Sequence, residues 1–281
     1  MLYEKYRPKM FKQMVGRNDE IELIKKQITK PDGISHLLLT GPQGTGKTTF
    51  AFATAREALG DTFASNFYEY NGSDVGVELV RNEIVNIAKR RAFESDYKII
   101  LIDEADKITP DAQGAFRRIL EKYAQYTKFI FTANYVYKLI PPIISRFLHF
   151  RFEKLDMKDI AKYLKYICKK EGIEKSNNSL ISIAKVANGD LRKAIGILEG
   201  NGQIDSGLFE LTLKKLNSMS NDEKIELAFK NDPDILFNIL WEIVHRNKQW
   251  DKIQPMADCS AKMAISIHKT IFLANLLNKH F

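Results

Sequence analysis

The 281-residue chain has only two cysteines, Cys168 and Cys259, ninety-one positions apart and in no metal-ligand spacing. That excludes a disulfide framework and a zinc site, and predicts two buried packing thiols. Proline and glycine are sparse, at 8 and 15 residues, too few for a collagen-like or linker-like chain. No run approaches the roughly eighteen apolar residues of a membrane-crossing helix, so no membrane partner is expected. The opening Met1-Leu2-Tyr3-Glu4-Lys5-Tyr6-Arg7-Pro8 lacks the apolar core of a secretion signal, and a cytoplasmic location is expected. Acids are in deficit: 43 Lys and Arg face 35 Asp and Glu, a net charge of +8. The excess is local. Residues 1–203 carry 33 basic and 25 acidic side chains, and 204–281 carry ten of each, so a polyanion-binding face is expected in the first part.

What is present is alternation. Across 36–152 short apolar runs alternate with amphipathic stretches, predicting strands at 36–40, 67–70, 98–103, 128–133 and 148–152. Val80, Ile84 and Ile87 recur at helical spacing, as do Phe116, Ile119, Leu120 and Tyr123 after a Thr109-Pro110 start. After 152 the pattern is helical: Ile160, Leu164 and Ile167 begin it, and it runs through 190–198 to a break at Gly200-Asn201-Gly202. Ile235, Ile239, Leu240 and Ile243, and then 265–277, predict further helices. The expected fold is α/β, a parallel sheet with helices on both faces over 1–152. A small helical domain over 153–202 and a short helical unit over 203–281 follow it.

Gly41-Pro42-Gln43-Gly44-Thr45-Gly46-Lys47-Thr48 matches GxxxxGK[ST], directly after the first strand and opening a helix through Thr49. Such a loop wraps its backbone N–H groups around phosphates at a helix N-terminus. Lys47 is then placed for the β/γ-phosphates and Thr48 for Mg²⁺, which makes ATP and Mg²⁺ the expected cofactors. Asp103, ending the apolar run 99–102, is the second metal-side candidate, and Glu104 the candidate general base. No NKxD sequence follows, which disfavours GTP.

These residues, with Glu4-Lys5-Tyr6-Arg7-Pro8, Met14-Val15-Gly16, Asn71-Gly72-Ser73-Asp74, Asp103-Glu104-Ala105-Asp106, Phe116-Arg117-Arg118, Ala133-Asn134-Tyr135, Ser145-Arg146 and Gly189-Asp190-Leu191-Arg192-Lys193, resemble the AAA+ ATPases. Within them they resemble the small subunits of replication factor C, the sliding-clamp loader. The resemblance spans about 3–200. It implies an AAA+ P-loop domain, a helical lid and a helical oligomerisation collar. It places Tyr6, Arg7, Pro8, Val15 and Gly16 at the nucleotide, Asn134 as the polar sensor positioning the attacking water, and Arg192 as the lid sensor of the γ-phosphate. Arg146 would be an arginine finger reaching a neighbouring subunit's ATP.

The implied partners are a large subunit and further small subunits, a sliding clamp, and primer–template DNA gripped without sequence preference. The implied setting is the nucleoid or replication site, or the nucleus in a eukaryote. Arg81, Arg117 and Arg118 are the candidate contacts to the DNA backbone. Two departures stand out. Phe147 occupies the cysteine position of Ser-Arg-Cys, and Val75-Gly76 replaces a longer Glu-Arg-Gly segment whose basic residue is tied to DNA control of the catalytic glutamate. The competing readings are an ATP-binding scaffold subunit that hydrolyses little, and a different AAA+ DNA-remodelling ATPase.

Overall fold

The structure is a computed structural model that describes residues 1–30, 33–200, 213–230, 233–265 and 268–281. Five parallel strands, β1 (Leu37–Thr40), β2 (Phe67–Asn71), β3 (Lys98–Asp103), β4 (Thr127–Ala133) and β5 (Leu148–Arg151), form one sheet in the order β2-β3-β4-β1-β5. The registers Leu37↔Ile130 and Ile100↔Phe129 set β4 between β1 and β3. The five expected strands are present with ends shifted by one residue: His36 precedes β1, Asn71 and Thr127 join β2 and β4, and Phe152 falls outside β5.

Side chains alternate across the sheet. Leu38, Ile100, Ile102, Phe129 and Phe131 point to one face, and Leu37, Leu39, Ile99, Leu101 and Ile130 to the other, all fully buried. Both faces are therefore covered, as an all-parallel sheet requires. Each such side chain contributes roughly 1.5–3 kcal/mol by leaving water. The first face is covered by a helix over 77–89, through Val80 and Ile84, and by Pro110–Lys122, through Phe116, Ile119 and Leu120. Tyr123 caps that second helix instead of extending it. The opposite face is covered by Asn18–Ile28 and Lys47–Leu59, through Ile24 and Phe50.

Three helices, Met157–Glu171, Asn177–Ala187 and Leu191–Glu199, form the lid around Ile160, Leu164, Ile167 and Ala194. Cys168 is buried there, and Cys259 is buried beyond. The chain's first residues join the lid: Leu2, Tyr3, Tyr6 and Val15 pack on its core. Beyond the lid, Leu213–Ser218, Asn221–Lys230, Pro233–Arg246, Ile253–Ile265 and Lys269–His280 pack around Leu236, Leu240, Met256 and Leu277. The last helix starts at Lys269 and not at Ile265, which ends the helix before it. Asn201, Gly202 and the expected boundary after 202 lie outside the described residues.

Candidate functional site

Because β4 lies between β1 and β3, whatever follows those strands converges at their carboxyl ends, where open parallel sheets bind ligands. The cleft there is closed by the lid helix Leu191–Glu199 and by the first eight residues. Gly44, Gly46, Lys47, Thr48 and Thr49 line it from β1, Asp103 and Glu104 from β3, Thr132 and Asn134 from β4. Tyr6, Arg7 and Pro8 line it from the N-terminal arm and Arg192 from the lid. Gln43 is also exposed to it, whereas Gly41, Pro42 and Thr45 form the back of the loop.

The loop is shaped by backbone that only glycine accepts cheaply. Gly44 has φ 73°, and a Cβ there would lie 1.8 Å from Asp190 Oδ1, so no side chain fits between loop and lid. The Leu191 N–H donates to the Gly44 carbonyl at 3.1 Å, tying the loop to the first turn of the lid helix. Lys47 is 8% exposed and donates to the Gly41 and Pro42 carbonyls at 2.8 Å each and to Asn134 Oδ1 at 2.9 Å. Burial lowers its ammonium to about 8, against the opposing pull of Asp103 and Asp106. An incoming polyphosphate would raise it again, since it supplies anionic oxygens where the lysine now has only carbonyls.

Thr48 Oγ1 donates to Asp103 Oδ1 at 2.8 Å, and Thr132 Oγ1 donates to the same oxygen at 2.5 Å. A hydroxyl beside one carboxylate is an all-oxygen donor pair suited to Mg²⁺, which keeps waters and takes its remaining ligands from phosphates. No cluster of three His, Cys, Asp or Glu ligands occurs among the described residues. The pair therefore fits Mg²⁺ accompanying a nucleotide.

Glu104 has φ 55°, the left-handed region that non-glycine residues seldom adopt. Its N–H is held by Thr132 Oγ1 at 2.9 Å, and its carbonyl presses on Gly72, where a Cβ would come within 2.2 Å. Its carboxylate pairs with Lys107 Nζ at 2.5 Å. Asp106, the last acid of the string, accepts from the Asn134 backbone N–H at 3.2 Å and so holds the main chain that carries the Asn134 side chain.

The arm is held from the lid. Tyr6 donates its hydroxyl to Glu171, whose carboxylate pushes the phenol up to about 12, and Lys5 pairs with the same carboxylate at 2.6 Å. Tyr163, itself lining the cleft, donates to the Tyr6 carbonyl at 2.5 Å. Arg7 Nε reaches Thr49 Oγ1 at 3.4 Å. Val15 and Gly16, grouped with these by the resemblance, do not line the cleft. Val15 packs in the lid core and Gly16 lies against Asp159.

Arg146 is outside this cleft. Its guanidinium is bound to Glu121 and to the Pro142 carbonyl, a partner 25 positions away that the sequence did not disclose. Arg81, Arg117 and Arg118 are exposed and apart from the cleft. Phe147 is buried against Phe131, ring centres 4.7 Å apart, and the shortened segment turns Val75 into the core. Sequence reasoning missed Thr132, whose one signal is a hydroxyl in an otherwise apolar strand end. It also missed Asn71 as a lining residue, although Asn71 stands in a quoted motif.

Residues 37–155 match the ATPase family associated with various cellular activities (AAA), and 162–200 match the RCF1/5-like AAA+ ATPase lid domain. The replication factor C small subunit of Methanococcus vannielii is 36% identical over 79% of this chain and 71% of its own length. That of Archaeoglobus fulgidus is 38% identical over 79% and 70%. Among solved structures, the Thermotoga maritima RuvB Holliday junction branch migration motor superposes with a TM-score of 0.58 at 20% identity, over 69% of this chain and 64% of that one. The last likeness concerns the fold alone. The sequence relatives and the two matched domains go further: this chain belongs to the replication factor C small-subunit family of AAA ATPases.

Proposed function

We propose that the chain acts as a clamp-loader small subunit that binds Mg²⁺–ATP in the cleft between sheet and lid, and completes the neighbouring subunit's site with Arg146. The observation that carries this is the separation of parts: Lys47, Thr48, Asp103, Asn134 and Arg192 meet in one cleft, while Arg146 stands outside it on a surface pair with Glu121. ATP supplies the phosphoryl group and Mg²⁺ the charge that its transfer needs. Lys47 exchanges its carbonyl partners for the β/γ-phosphates, and Thr48 and Asp103 hold the ion. Glu104 takes the proton of the attacking water, which requires it to leave Lys107, while Asn134 orients that water. Arg192 carries the state of the phosphates to the lid.

Arg146 of one copy neutralises charge developing on the next copy's ATP, so turnover belongs to the assembly. In this reading ATP holds the assembly on an opened clamp, and hydrolysis releases the clamp onto primed DNA. Arg81, Arg117 and Arg118 contact phosphates, making DNA binding salt-dependent and indifferent to sequence.

The test is ATP turnover by the complex with its companion subunits, with and without clamp and primed DNA, for the wild type, Arg146→Ala and Glu104→Gln. Stimulation by clamp plus DNA is expected to vanish in Arg146→Ala. Glu104→Gln should bind ATP normally and turn over at least about a hundredfold more slowly. Turnover indifferent to Arg146→Ala would remove the finger, and turnover indifferent to Glu104→Gln would leave the chain a nucleotide-binding scaffold.

A further inference from the structure

We propose that Arg17 is a positioning residue of the nucleotide site, fastening the phosphate loop to the root of the lid. The inference rests on the reading of the cleft as an ATP site. Arg17 is 5% exposed, just ahead of the helix Asn18–Ile28. One guanidinium nitrogen donates to the Thr45 carbonyl at 3.1 Å and also to the Glu153 carbonyl, in the connection that leads from β5 into the lid. The second reaches Glu20 Oε1 at 3.5 Å. The guanidinium lies 4.8 Å from the centre of the Phe152 ring, and the Phe152 carbonyl is where a Cβ on Gly41 would collide, at 2.1 Å. Gly41, which opens the phosphate loop, therefore rests on Phe152, and Thr45 within it is tied through Arg17 to Glu153.

Arg17 Nε is buried with no partner. A buried donor left unmade is costly, and it is tolerated here by a side chain whose other nitrogens are committed to the bridge. A lysine would not reproduce this arrangement, because an ammonium on a flexible stem lacks the flat fork that reaches two carbonyls and a carboxylate at once. The groups assigned to the chemistry, Asp103 at the end of β3 and Glu104 and Asn134 just after β3 and β4, are held by Thr132, Lys107 and Asp106. Loss of the bridge should thus act first on how the loop fits the phosphates, since these restraints persist even if the loop's own bonds to Asn134 and Asp103 shift.

The experiment titrates a fluorescent ATP analogue into the full chain and measures steady-state turnover of the assembled complex, for the wild type, Arg17→Lys and Glu20→Gln. Arg17→Lys is expected to weaken ATP binding about tenfold and raise KM in parallel, with kcat held within about twofold. Glu20→Gln, which leaves the bridge intact, should bind ATP like the wild type. Unchanged affinity in Arg17→Lys would overturn the inference, as would a kcat that falls as far as the affinity, or a Glu20→Gln variant equally impaired. Amide exchange in the unmodified chain provides a check free of misfolding: the analogue should protect residues 153–155 together with 43–47, and protection of the loop alone would overturn the bridge. A wild-type chain that binds no ATP would instead overturn the nucleotide reading, and this inference with it.

Discussion

The polar side chains at the two ends of the sheet, buried at the amino end and buried or half-buried at the carboxyl end, are used in opposite ways. At the amino end, Lys98 opens β3 and donates to the Ile87 carbonyl at 2.8 Å and to that of Arg90. Thr127 opens β4 and donates to the Ala88 carbonyl at 3.1 Å. His36, just before β1, meets the Leu120 carbonyl through Nε2 and accepts the Phe129 N–H on Nδ1, both at 3.0 Å. Every partner is main chain, and each bond fixes one element to another. At the carboxyl end Thr48 and Thr132 both donate to Asp103, and Lys47 adds the Asn134 side chain to its two main-chain carbonyls. Bonds between side chains are a small minority in proteins. Burial of a polar group does not separate architecture from chemistry here; the added bonds between side chains do.

That contrast can be broken in three ways. The largest effect is expected at the carboxyl end, where Asp103→Ala should cut turnover at least about a hundredfold and abolish its response to Mg²⁺, with little change in melting temperature. A cooperative loss of folding instead would make the acid cluster structural. The next is at the amino end, where Lys98→Met should cost about 3 kcal/mol in urea unfolding by orphaning two carbonyls, while turnover per folded molecule is unchanged. A changed turnover would erase the distinction between the ends.

The smallest concerns His36, which burial lowers to about 4 from its ordinary 6.5. The unfolded chain therefore binds the proton first as pH falls. The stability from the neutral ring is complete above pH 6.5, is lost between 6.5 and about 4, and amounts to about 2 kcal/mol between pH 7 and 5. His36→Gln should flatten the profile in that window, and an unaltered slope would assign the acid sensitivity elsewhere.

The sheet was legible because its code is short-range: apolar runs of strand length, and a glycine-rich loop whose letters and neighbours both fit phosphate binding. Lys47, Thr48 and Asp103 could be placed from those letters, since a parallel sheet gathers its strand ends. The restraints on the site were not legible. Lys107 stands three positions from Glu104, but only the left-handed turn at Glu104 brings the pair together. Tyr6 and Glu171 are 165 positions apart, Arg17 and Glu153 are 136 apart, and no local pattern marks such pairs. No local pattern marks the packing of Val15 on the lid core or of Gly16 against Asp159 either.

That packing of the chain's first residues has a mechanical consequence. The three lid helices are joined to the sheet by the strand exit at 153–155, and also by the return of the arm, which leaves the lid core near Tyr6 and enters the sheet's underside at Phe11. A body pinned at one point can swivel in three rotations, whereas one pinned at two can turn only about the line through both pins. The lid is held at both of these points and also by Val15, which returns to its core after Phe11, and by the Leu191 N–H on the Gly44 carbonyl, so any swing over the cleft must first release those contacts.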